Sequence, residues 1–167
     1  HAAFAQRQIR ILYLAVVDGL MAVSDTWTCI DAPIDLHWPD RPRHHVGAQG
    51  KPSLTGWRAV AQDPHSQRTL VALRPHTGRS HQLRVHLQWI GHPMVGDTLY
   101  ATPELAQASP RLLLHAWRLQ LTHPIYGDNR DWAAPIPAEL LTGFCQQAVV
   151  QGLHNALIAH TQELIHA

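Results

Sequence analysis

The chain has 167 residues, 46% hydrophobic and 15% charged, a composition that suits one globular domain with one core and excludes a disordered or collagen-like chain. Thirteen Lys and Arg against 12 Asp and Glu leave a net charge of +1, which excludes a uniformly basic nucleic-acid binder. The balance is uneven along the chain: Arg41, Arg43, Lys51, Arg58, Arg68, Arg74, Arg79 and Arg84 face one acid, Asp63, within residues 41–86, which leaves room for a basic binding segment on an acidic body.

The chain starts without Met and with no signal-peptide pattern, and it runs almost at once into an apolar segment. We therefore expect the N-terminal part of a larger protein to precede it. Residues 10–17 are apolar and rich in β-branched side chains and end in Asp18-Gly19, which predicts a buried strand and a turn. Residues 31–52 contain Pro33, Pro39, Pro42 and Pro52 with Gly47 and Gly50, and read as mostly loop. Residues 56–61 and 69–74 are strand-like and joined by a turn-rich connection over 62–67. Ser80 is placed to cap a helix from His81 to about Ile90, with Gly91 as its stop and Leu83, Leu87 and Ile90 as its buried face. The second half of 111–123 alternates as a strand, and 138–165 has the helical spacing Leu140, Phe144, Val149, Leu153, Ile158. The sum is a mixed α+β domain with a mainly antiparallel sheet and flanking helices.

Several side chains suggest chemistry. Unpaired N–H groups and Arg79 at the start of the predicted helix make an anion site. Arg84 adjoins core-facing Leu83, so its guanidinium is expected to be partly buried and to need a carboxylate or phosphate partner. An internal salt bridge and a catalytic role both satisfy that need. Arg41 and Arg43 beside Trp38 either track phosphates or sit on a solvated loop, while Trp89 and Trp117 read as core. His81 and His86 are five apart, His44 and His45 are loop neighbours, and Cys29 and Cys145 are far apart. A His-rich metal domain is thus disfavoured: no metal site and no disulfide framework are expected, and the setting is a reducing cytoplasm. No apolar run approaches a bilayer span, so no membrane partner is expected.

A series of motifs carries a resemblance. In order they are Tyr13-Leu14-Ala15 with Asp18-Gly19; Trp38-Pro39-Asp40-Arg41-Pro42-Arg43; Gly50-Lys51-Pro52; Thr77-Gly78-Arg79-Ser80-His81-Gln82-Leu83-Arg84-Val85-His86; Gly91-His92-Pro93; Gly96-Asp97 with Tyr100; and Arg111-Leu112-Leu113-Leu114-His115-Ala116 with His123-Pro124. The series resembles the RluA-type family of RNA pseudouridine synthases, and is most similar to its dual-specificity 23S rRNA/tRNA branch. The resemblance implies isomerisation of uridine to pseudouridine in an rRNA or tRNA stem-loop, without cofactor or metal, and a monomer is expected. By motif, Tyr13 would stack on the extruded base, Arg84 would pair with an Asp nucleophile, and Leu114 would line the uracil pocket. The family's nucleophile lies in a His-Arg-Leu-Asp motif before the Tyr-bearing strand, and no Arg-Leu-Asp occurs here. Asp97 reads as a turn residue, and Asp18, Asp31 and Asp35 match no nucleophile motif. The expectation is a catalytic domain truncated at its N-terminus over residues 1–137, a helical extension over 138–167, and a chain inactive alone; the alternative is a noncatalytic RNA-binding remnant.

Overall fold

The computed structural model describes residues 9–123 and 125–165, with side chains through residue 157. Strands β1 (Ile9–Asp18), β2 (Thr28–Asp31), β5 (Leu54–Asp63), β6 (Arg68–Pro75), β7 (Leu114–Thr122) and β8 (Asn129–Ala133) form an antiparallel sheet in the order β2-β5-β6-β1-β7-β8. The central strands are the apolar runs predicted from the sequence. They are buried on both faces, as a continuous rather than alternating pattern requires.

Two cores result, one on each face of the sheet. On one face Leu12, Leu14, Val16, Leu70 and Ala72 meet Leu140, Val149 and Ala156 of the C-terminal helices. On the other, Ala15, Val17, Val71 and Leu73 meet Leu83 and Leu87 of helix α1 (Gln82–Trp89). A short helix α2 (Pro103–Gln107) begins at Thr102, whose hydroxyl accepts the Leu105 N–H, with Pro103 in its first turn. The tail predicted as helical is α3 (Ala138–Leu141) and α4 (Gln146–Ile165).

Three expectations are corrected. The proline-rich stretch 31–52 is not simply loop: β3 (Ile34–Leu36) and β4 (His44–Val46) pair as a separate hairpin whose tip holds a 3-10 turn, Trp38–Asp40. Ser80 does not cap α1. His81 takes that position with a left-handed backbone, φ 55°, and the Gln82 carbonyl oxygen of the side chain instead accepts from the Arg79 N–H and the Thr77 hydroxyl. The tertiary bonds of Gln82, whose amide donates to the Leu54 carbonyl and the Thr55 hydroxyl, set the start of the helix where local capping would have placed it earlier. Gly91 does end the helix, with φ 88° and its N–H on the Gln88 carbonyl. Finally, Trp117 is buried as expected, but Trp89, in the last turn of α1, is 54% exposed.

Candidate active site

Helix α1 is pinned to the sheet by polar as well as apolar contacts. His86 is fully buried; one ring nitrogen lies 2.9 Å from the Ala32 carbonyl and the other 2.8 Å from the Thr55 hydroxyl. A carbonyl can only accept, so Nε2 carries the proton and Nδ1 accepts from Thr55. Burial pushes the His86 imidazole below its ordinary value, against the Ala32 hydrogen bond and the charge of Asp31.

With the helix seated this way, Arg84 projects beside Leu83 toward the turn after Gly96. Its Nε and Nη2 donate to the two carboxylate oxygens of Asp97 at 2.9 and 2.6 Å. Asp97 Oδ1 also accepts the N–H groups of Leu99 and Tyr100, so the turn reading of Asp97 and the partner demanded by Arg84 fall on the same carboxylate. Gly96 makes this possible: its φ is 78°, and a Cβ there would lie 2.0 Å from the Arg111 carbonyl oxygen. Burial works to raise the Asp97 carboxyl, but the hydrogen bonds from Arg84, Leu99 and Tyr100 and the charge of Arg84 hold it below its ordinary value. The hydrogen bond to Asp97 in turn raises Arg84, against desolvation. Asp97 takes one edge of the guanidinium, and the Nη1 group is left without a partner among the described residues. The Arg84 side chain remains 17% exposed, so that second edge can serve another carboxylate or a phosphate.

Tyr13 lies mid-strand in β1 and Leu114 at the start of β7, opposite Ala15, so both point from the same face of the sheet. Both are half-buried against the core that also receives Leu83 and Leu87, which gathers Tyr13, Leu114 and the Arg84-bearing helix about one cluster. Burial raises the Tyr13 phenol, which keeps it protonated at neutral pH.

The predicted cations divide. Arg41 lies over the exposed Trp38 ring at 4.5 Å, Arg43 pairs with Asp40 at 2.8 Å, and Arg79 donates to the Pro52 carbonyl at 3.2 Å; all three are exposed, as is Lys51, which bridges to Ile34. They surround the β3–β4 hairpin and the start of α1. Arg58 and Arg74 correct the expectation of one basic face: they are 2% and 7% exposed, on the opposite side of the sheet, where Arg58 binds Asp25 and Arg74 lies over the Trp27 ring. Sequence reasoning did not anticipate the roles of His44, His81 and Tyr100, which join the hairpin to this site. The spacing of Asp97 and Tyr100 within one turn was the available signal. Among the described residues no group of three or more His, Cys, Asp or Glu could hold a metal ion, and no helix is long and apolar enough to cross a membrane.

Comparison with known proteins gives the family. Residues 1–89 match the family model described as RNA pseudouridylate synthase. The chain belongs to the RNA pseudouridylate synthase family. It is 41% identical over 133 residues to the dual-specificity RNA pseudouridine synthase RluA of Escherichia coli K12, covering 79% of this chain and 59% of that protein. It is 37% identical over 157 residues to the ribosomal large subunit pseudouridine synthase D of Nitrosomonas europaea, covering 90% of this chain and 42% of that protein. The solved structure of human RNA Pseudouridylate Synthase Domain Containing 1 superposes with a TM-score of 0.70 at 27% identity, over 92% of this chain and 69% of that one. This family member thus spans less than two thirds of the bacterial relatives it matches, and the α+β fold with a mainly antiparallel sheet is the one seen in its structural neighbour.

Proposed function

We propose that the chain is the RNA-binding and base-holding part of a pseudouridine synthase acting on uridine in rRNA or tRNA stem-loops, its nucleophilic Asp being supplied by a region outside these 167 residues. The observation that carries this reading is the divided guanidinium of Arg84: one edge is fixed by buried Asp97 and the other keeps some exposure, on a helix whose Leu83 and Leu87 pack into the same cluster as Tyr13 and Leu114. In the reaction the glycosidic bond breaks, the uracil turns, and C5 joins the sugar. Tyr13 would stack on the flipped base and Leu114 would bound its pocket. Arg84 would keep the incoming carboxylate ionised, because an adjacent cation favours the charged form. Arg79, Arg41 and Arg43 would contact phosphates. Residues 1–137 would be the catalytic part and 138–167 the helical extension, which packs Leu140, Val149 and Ala156 on the far core. The protein works as a cytoplasmic monomer without cofactor in this reading.

The test compares the chain alone with the chain joined to the coding sequence upstream of it, on a transcribed stem-loop. The chain alone should bind RNA without forming pseudouridine, and the extended protein should turn over. In the extended protein Arg84→Ala, verified as folded by circular dichroism, should abolish turnover while leaving RNA binding largely intact. Tyr13→Ala should lose more activity than Tyr13→Phe. RNA binding without turnover in the extended protein would establish the alternative, a noncatalytic RNA-binding remnant; undiminished turnover in Arg84→Ala would remove that residue from the site.

A further inference from the structure

The β3–β4 hairpin stands apart from the six-stranded sheet. Its root is tied down by Ile34, which exchanges backbone hydrogen bonds with Lys51. Contacts within the hairpin, Arg43 to Asp40 and Arg41 to Trp38, shape the tip, and β4 joins it to the body of the molecule. The His44 backbone N–H donates to the Tyr100 hydroxyl at 2.9 Å, and the same hydroxyl lies 2.8 Å from Nδ1 of His81, the left-handed residue at the start of α1. The His44 ring stands edge-on to His81 at 5.3 Å, and the His81 ring edge-on to Tyr100 at 5.6 Å. Tyr100 reaches the ion pair as well: its backbone N–H donates to Asp97, and its ring lies 5.0 Å from the Arg84 guanidinium.

The hydrogen-bond count fixes the arrangement. A tyrosine hydroxyl has one proton to give and lone pairs to accept with. With His44 donating to the oxygen, the O–H is free to donate to Nδ1 of a neutral His81 protonated at Nε2. Desolvation, Arg84 and His44 all favour that neutral ring over the charged one, against the attraction of Asp97. One residue therefore touches the hairpin, the helix start and the Arg84–Asp97 pair, and its hydroxyl is used as both acceptor and donor.

We propose that Tyr100, oriented by His81, is a positioning latch that sets the β3–β4 hairpin at a fixed distance from Arg84, so that Trp38, Arg41 and Arg43 grip the RNA flanking the uridine presented to that site. The proposal rests on the RNA reading above. Tyr100→Phe keeps the ring against Arg84 and deletes the latch; His81→Asn deletes the imidazole while retaining a residue that tolerates φ above zero. Each variant should speed hydrogen exchange at the His44 amide and weaken binding of a fluorescent stem-loop RNA by about fivefold to tenfold, the equivalent of one hydrogen bond. Arg41→Ala should weaken binding on its own, and combining it with Tyr100→Phe should cost less than the product of the two effects, because a released hairpin no longer aims Arg41. In the full-length enzyme Tyr100→Phe should raise KM for RNA and leave kcat unchanged. Unaltered exchange at His44, fully independent effects of Tyr100 and Arg41, or a kcat loss at constant KM would overturn the latch alone, since unmodified protein would still bind. Absence of RNA binding by the unmodified chain would instead overturn the RNA reading, and the latch with it.

Discussion

Asp97 is a charge held on every side. Its side chain is fully buried, which is tolerable only because Arg84 Nε, Arg84 Nη2 and two backbone N–H groups converge on it. Arg84→Ala leaves that carboxylate buried without its counter-ion and should cost about 2–4 kcal/mol in urea unfolding, somewhat below a fully buried pair because Arg84 keeps some solvent contact. Arg84→Ala combined with Asp97→Asn should recover part of the loss, since an Asn oxygen still accepts from Leu99 and Tyr100; a double variant less stable than Arg84→Ala would contradict this account. The acid limb gives the sign of the charge effect. Asp97 has its folded value depressed, so its contribution is complete above the ordinary 3.8 and disappears as pH falls from there through the folded value. Asp97→Asn should flatten that last decline. The sequence required a partner for Arg84 and identified Asp97 as a turn residue, but only the fold could show these to be one fact: twelve residues, including the left-handed glycines Gly91 and Gly96, lie between the two along the chain.

At the level of elements, α1 is held by a buried histidine whose two hydrogen bonds leave no place for a second ring proton without disturbing Thr55. His86 has its folded value depressed below 6.5, so the unfolded chain takes up the proton more readily. The stabilisation is therefore complete above pH 6.5 and is lost as pH falls from there through the folded value, with His81 shifted in the same direction. His86→Leu should lower stability at neutral pH, because the Ala32 carbonyl loses its donor, yet show a shallower decline between about pH 7.5 and about pH 5.5 than the parent. Equal slopes in urea titrations would remove His86 as the source. Which elements the sequence disclosed follows from the same physics. Strands β1, β5 and β6 are apolar throughout and were visible as such. Strand β8 is exposed along its length and owes its existence to the ladder with β7, a long-range partner that periodicity cannot reveal. The start of α1 lies one residue later than local capping rules place it because Gln82 and Tyr100 hold His81 in a left-handed backbone conformation, and Trp89 stands out from the core because it falls roughly 120° around the helix from the Leu83, Leu87, Ile90 stripe.

For the molecule as a whole, the near-zero net charge conceals a sorting by face. The basic stretch seen in the sequence is threaded through the sheet, so strand alternation sends Arg58 and Arg74 to the opposite face, while Arg84 is neutralised by Asp97. What stays exposed beside the hairpin is Arg41, Arg43, Lys51 and Arg79, a smaller patch than residue counting suggested, but one on the side that carries the candidate site. If those cations are the ones that displace counterions, the log of the RNA binding constant should fall with the log of salt concentration at a slope of about −3, roughly 0.7 for each of the four. Arg79→Ala or Arg41→Ala should each make the slope shallower by about 0.7. Arg118 offers the control. It is ion-paired to Asp131 on the β7–β8 ladder, away from the hairpin, and its replacement by Ala should leave the slope unchanged. A slope equally reduced by Arg118→Ala would mean that RNA is drawn to the molecule by diffuse charge. A slope moved only by the hairpin and helix-start cations would place the bound RNA over the side that carries the hairpin and the start of α1.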